Sequence, residues 1–173
     1  FNINKKFDAV ITMFSAMGYL TENKQLEGFF ASARNHLNKD GLLILDIWNG
    51  LGVMHELPTS REKIAELADK NIKIIRTSYP ALDAKNHINN VKFAVKVFEL
   101  SSNRLITEYE ENHKVRFFFP QEIKKYMEDA GFELWDTIMW MHGQGFPKAQ
   151  AIDALIDKQN GDQREVVGKS EWA

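Results

Sequence analysis

The sequence predicts an α/β fold: a parallel sheet covered on both faces, interrupted by an antiparallel insert. Three observations predict it. Phe7 to Phe14 and Leu42 to Trp48 are short apolar runs without alternation, the texture of strands buried on both sides. Between them, apolar residues recur at helical spacing, and a parallel strand pair needs such a crossover. From Ile72 to Phe119 the period shifts toward two, the mark of antiparallel strands with one face covered.

In chain order, Phe1 to Lys6 is a polar lead-in to the first strand. Thr21 is the expected N-cap of the crossover helix, with Glu22 in the first turn where a negative charge suits the dipole. Leu26, Phe29, Phe30, Ala33 and Leu37 give that helix one apolar face. Asn38-Lys39-Asp40-Gly41 should end it, with Gly41 free to take a positive φ. Asn49-Gly50-Leu51-Gly52 reads as a loop and Ser60 to Lys70 as a short helix. Three insert strands are expected: Ile72 to Tyr79 with a bulge near Ile75, Val91 to Val97, and Arg104 to Phe117 after a turn at Ser101-Ser102-Asn103. Pro120 opens a helix at its first position, Ile123, Tyr126, Met127 and Ala130 line its inner face, and Gly131 stops it. Phe132 to Met141 reads as a strand of the main sheet. Lys148 to Lys158 reads as a helix, and Arg164 to Val167 with Ser170 onward as closing strands. Residues 1–50 and 118–173 thus form the core and residues 51–117 the insert.

Composition narrows the function. At 173 residues the chain suits a single domain. A formal net charge of -2 offers no electrostatic pull on nucleic acid or an anionic membrane. The absence of cysteine excludes disulfides and thiolate chemistry and accords with a reducing cytoplasm. No apolar run has the length of a membrane span. In parallel sheets ligands sit beyond the carboxyl ends of the strands, so Met13 to Tyr19 and Asp46 to Asn49 share the lip of an expected site.

Several runs carry a family resemblance. Lys6 to Leu20, through Met13-Phe14-Ser15-Ala16-Met17-Gly18, resembles the fourth-strand motif of class I S-adenosylmethionine-dependent methyltransferases. Asn35 to Asp46 is similar to that family's passage from helix to fifth strand. Phe118-Phe119-Pro120-Gln121-Glu122-Ile123, closing at Ala130-Gly131-Phe132, is similar to the helix before the sixth strand. With the antiparallel insert and Glu110-Glu111-Asn112-His113-Lys114, the chain most resembles the N-methyltransferases of nucleotide-linked amino sugars. The resemblance implies a partial Rossmann-like sheet with a three-stranded insert, S-adenosylmethionine as cofactor and a small-molecule substrate. The family's glycine-rich cofactor loop and its ribose-binding acid do not appear, so the chain reads as the C-terminal portion of a longer protein.

The resemblance sets Met13, Phe14 and Ser15 against the cofactor's methionine and sulfonium end. An apolar, water-poor wall there lets a neutral amine approach in line, and positioning alone supplies roughly 7–11 kcal/mol of such a barrier. Tyr19 follows a glycine at the mouth of the turn, where its hydroxyl reaches substrate or cofactor or else staples the helix start. Trp48 and Asn49 end the next strand on the same lip as substrate contacts, with Trp48 equally suited to pack beneath the insert. Trp140 and His142 border a loop that closes the pocket. Asp46 reads as a strand-end carboxylate with hydrogen-bonding duties, with no second ligand at metal-site spacing. By alternation His113 shares a face with Tyr109, Glu111 and Val115 and points away from Lys114 and Arg116. An imidazole titrates near neutrality and can accept a proton from a substrate ammonium. Against that stands a core histidine satisfied by Glu111. Glu108, Glu110, Glu111, Lys114 and Arg116 otherwise read as a solvated charge pattern or a subunit edge. The competing reading is a truncated or degenerate Rossmann-like module that dimerises through its insert sheet without catalysis.

Overall fold

In the computed structural model, which describes residues 2–138 and 154–158, the first two expected strands lie side by side. β1 (Phe7–Thr12) runs parallel to β2 (Leu37–Leu45), with Ala9 opposite Leu42 and Thr12 opposite Leu45. α1 (Asn23–His36) is the crossover. Its N-cap is Glu22, one residue past the expected Thr21, because Gln25 answers it in a capping box; the Glu22 amide donates to Gln25 Oε1 at 3.0 Å. Leu26, Phe30 and Ala33 form its buried face, as their spacing requires. The left-handed residue after α1 is Asp40 (φ 63), not Gly41. Gly41 serves close packing instead, since a Cβ there would lie 3.2 Å from the Asp8 carbonyl oxygen.

The segment expected as a loop after Trp48 is a short helix, α2 (Gly50–His55), capped by Asn49, whose Oδ1 accepts from the Leu51 amide at 3.0 Å. The insert then has four strands, not three. β3 (Arg61–Leu67), β4 (Ile72–Asp83), β5 (Ile88–Glu99) and β6 (Leu105–Arg116) form one antiparallel sheet in that order. β3 occupies the stretch expected to be helical: Glu62, Lys63, Ala65 and Leu67 favour helix locally, but all seven residues pair with β4. The irregularity expected near Ile75 is absent, as Ile72 to Asp83 pairs residue by residue with β5; the break lies at Val97/Phe98 between β5 and β6.

α3 (Pro120–Asp129) starts on its proline, and Gly131, at φ 79, ends it. β7 (Leu134–Ile138) and β8 (Ala154–Lys158) complete the main sheet in the order β1-β2-β8-β7, with β8 antiparallel to both neighbours. β8 falls within the expected helix Lys148 to Lys158; its backbone fills the slot between β2 and β7. The expected strands at Arg164 and Ser170 lie outside the described residues.

α1 and α3 cover one face of this sheet, around Met17, Phe30, Leu43, Leu45, Ile123 and Met127. The second covering layer expected from the sequence is not found among the described residues. Phe7, Ile11, Leu42 and Ile44 share the opposite face; Phe7 and Ile11 are exposed and Leu42 and Ile44 half-buried, so β1 is not the fully buried strand its composition suggests. No strand among the described residues pairs with the outer edge of β1. Backbone hydrogen bonds close the base of the insert: the Phe118 amide donates to the Trp48 carbonyl at 2.9 Å, and the Gly50 amide to the Phe118 carbonyl at 2.8 Å.

Candidate active site at two adjoining strand tips

The tips of β1 and β2 meet, as the parallel pairing demands. The Asp46 amide donates to the Thr12 carbonyl at 3.1 Å, and the Ser15 amide donates to Asp46 Oδ1 at 2.8 Å. Between those two bonds the chain turns sharply. Phe14 (φ 61) and Ser15 (φ 53) are consecutive residues in the left-handed region. For a bulky side chain such as phenylalanine this is an outlier, and each such residue costs on the order of 1–3 kcal/mol. The turn does not hide its aromatic ring: Phe14 is 81% exposed. Met13 beside it is half-buried. A strained turn that holds a large apolar ring out of the core is better suited to meeting a ligand than to packing.

The chain continues into a single 3-10 turn, Ala16–Tyr19, anchored by buried Met17. Gly18 is wedged against β6. A Cβ there would lie 2.7 Å from Val115 Cγ1 and 3.0 Å from the Arg116 carbonyl oxygen. Since backbone cannot yield as a flexible side chain can, Gly18→Ala is expected to cost about 1–3 kcal/mol, read from the midpoint of urea unfolding.

This wedge brings Tyr19 to the insert. Its hydroxyl lies 2.8 Å from His113 Nδ1, the two rings meeting edge to face at 5.9 Å. His113 Nε2 lies 3.3 Å from Glu111 Oε2. A carboxylate only accepts, so in neutral His113 the hydrogen belongs on Nε2, and Nδ1 accepts from the Tyr19 hydroxyl. The imidazole also meets Phe93 edge to face at 5.2 Å, and the Arg76 guanidinium sits 4.9 Å over that ring. Tyr19 is 56% exposed and the Glu111 side chain 54%, so both ends of the row are open to solvent.

The remaining expected site residues fall differently. Trp48 is half-buried and packs edge to face on Phe117 at 6.1 Å, beneath the insert rather than out on the lip. Asn49 is 3% exposed and its side-chain oxygen caps α2. Trp140 and His142 lie outside the described residues. Arg116 is not part of a solvated charge pattern. It is 7% exposed and donates to the Thr21 carbonyl at 3.3 Å, to Asn23 Oδ1 at 2.9 Å and to Glu122 Oε1 at 2.5 Å. It ends β6, and its guanidinium bridges the start of α1 to the start of α3, which keeps it from solvent. Sequence reasoning missed Phe93 as a neighbour of His113 and Arg76 as the cation over its ring. Their one signal was β-pairing register, which places both on the His113 face.

No family model matches this chain. A 48-residue stretch, 28% of the chain and 20% of the relative, is 38% identical to a dTDP-3-amino-3,4,6-trideoxy-alpha-D-glucopyranose N,N-dimethyltransferase of Streptomyces venezuelae. Among solved structures, DesVI of Streptomyces venezuelae superposes with a TM-score of 0.70 at 16% identity, over 91% of this chain and 60% of that one. An amino pentose methyltransferase of Micromonospora echinaspora, with S-adenosylmethionine bound, gives 0.71 at 15% identity over 92% and 61%. An S-adenosylmethionine-dependent methyltransferase of Clostridium acetobutylicum gives 0.67 at 19% identity over 93% and 61%. The chain therefore shares the fold of these solved methyltransferase structures and spans about 60% of their length.

Proposed function

We propose that the protein to which this chain belongs transfers a methyl group from S-adenosylmethionine to a small molecule, the amino group of a nucleotide-linked sugar. The observation that carries the reading is the strained turn itself: Phe14 and Ser15 are held left-handed at the strand tips where this fold receives ligands, and lead directly into Tyr19. The names of the relatives, which include amino-sugar methyltransferases, support the substrate class.

The residues present fit one side of the cofactor. Met13, Phe14 and the backbone of Ser15 would wall its methionine and sulfonium end, while groups suited to ribose and adenine are not evident among the described residues. When bound, S-adenosylmethionine supplies an electrophilic methyl group. Phe14 excludes water from that side, which favours approach of an uncharged amine. An ammonium has no lone pair, so its proton must leave first. The exposed Tyr19 hydroxyl oxygen can take that proton while its own hydrogen passes to His113 Nδ1; the resulting imidazolium is stabilised by Glu111 across Nε2. His113 thereby acts as the base without touching substrate.

Titration calorimetry of S-adenosylmethionine into the intact protein tests the reading, followed by mass analysis of a nucleotide-linked amino sugar after incubation. Cofactor binding and a 14-dalton product increment are expected. Absence of binding removes the proposal and favours the non-catalytic module. That module gains little from the insert edge, because Glu108, Glu110 and Glu111 on β6 discourage strand-to-strand pairing of two copies.

A further inference from the structure

We infer that Asp46 is a positioning residue whose buried carboxylate locks the Phe14–Ser15 turn and so sets the aromatic wall presented to the methyl donor. The inference rests on the reading of that turn as the cofactor wall. Left alone, two consecutive non-glycine residues would relax to negative φ, so something nearby must over-determine the turn. The bonds within the turn are local: the Gly18 amide donates to the Ser15 carbonyl at 2.8 Å and the Ala16 amide to the Met13 carbonyl at 3.4 Å. The Asp46 carboxylate is different in kind. It reaches across 31 residues of sequence to the Ser15 amide at 2.8 Å, from a residue only 4% exposed. Asp46 is itself pinned through its own amide to the Thr12 carbonyl at 3.1 Å. Its side chain therefore has little freedom, and an oxygen acceptor fixed at that point aims the Ser15 amide. The proton route through Tyr19 does not use this carboxylate.

The variants separate positioning from direct ligand contact. Asp46→Ala removes the acceptor, Asp46→Asn keeps a side-chain oxygen without charge, and Ser15→Gly supplies a residue that takes positive φ without help. In the intact protein, Asp46→Ala is expected to lower kcat/KM about 10²-fold, since a displacement near 1 Å has that consequence. Asp46→Asn should stay near the parent, and Ser15→Gly placed in the Asp46→Ala background should recover most of the loss. Amide hydrogen exchange at Ser15, read by NMR without cofactor, should be slow in the parent and Asp46→Asn and fast in Asp46→Ala. A Ser15 amide that already exchanges freely in the parent overturns the clamp and needs no variant to fold. An Asp46→Asn protein as impaired as Asp46→Ala also overturns it, because the charge would then act on the ligand directly. If the intact protein binds no S-adenosylmethionine, the functional reading falls while the exchange measurement still decides the clamp.

Discussion

Replacing His113 with alanine in the intact protein will slow methyl transfer by about 10²–10⁴-fold and alter the pH–rate profile. The sign follows from the hydrogen-bonded row. A protonated imidazole cannot receive the Tyr19 hydrogen, so protonation of the ring switches this relay off in the parent and has no such effect once the ring is gone. Tyr19→Phe keeps the ring contact with His113 but removes the hydroxyl, and should reproduce most of the loss. The double variant should be little worse than either single one, since residues that act as a unit are not additive. A pH–rate profile unchanged in His113→Ala would dismiss the base and leave catalysis to proximity alone.

The second large effect concerns stability. Arg116→Ala is expected to destabilise the protein by about 3 kcal/mol, read as a shift in denaturant midpoint at constant slope. That is the lower end of the range for breaking a buried ion pair. Glu122 keeps other partners when the arginine is gone, the Phe119 amide at 3.3 Å and His87 at 3.6 Å. Arg116→Lys should recover little, because one ammonium cannot reach Thr21, Asn23 and Glu122 as a guanidinium fork does. A loss well under 1 kcal/mol for Arg116→Ala would mean that the junction between insert and core does not depend on this residue.

What could be read from the sequence was whatever repeats locally. The apolar runs of β1 and β2, the helical spacing of Leu26, Phe30 and Ala33, the alternation along β5 and β6, and Pro120 and Gly131 at the ends of α3 each announce themselves within a few residues. β3 did not, because Arg61 to Leu67 has helix-forming residues and becomes a strand only through its partner β4. Asp40 took the left-handed conformation that the local rule assigns to Gly41, because Gly41 is held for its close approach to the Asp8 carbonyl 33 residues away in sequence, which no local rule sees. The site divides the same way. Alternation alone placed His113 on the face it occupies, and the glycine before Tyr19 marked the turn. The Asp46–Ser15 bond and the burial of Arg116 between two helices depend on contacts 31 and more than 90 residues apart, which no window on the sequence contains.

The bare side of the main sheet has a practical consequence. Among the described residues no strand pairs with the outer edge of β1, beside which Phe7 and Ile11 stand exposed, and such an edge templates the addition of an extended chain. A preparation of these 173 residues is expected to self-associate along that edge, as read by light scattering. Dimers or precipitates from such a preparation would report that open edge, and a charged residue in place of Ile11 should disperse them.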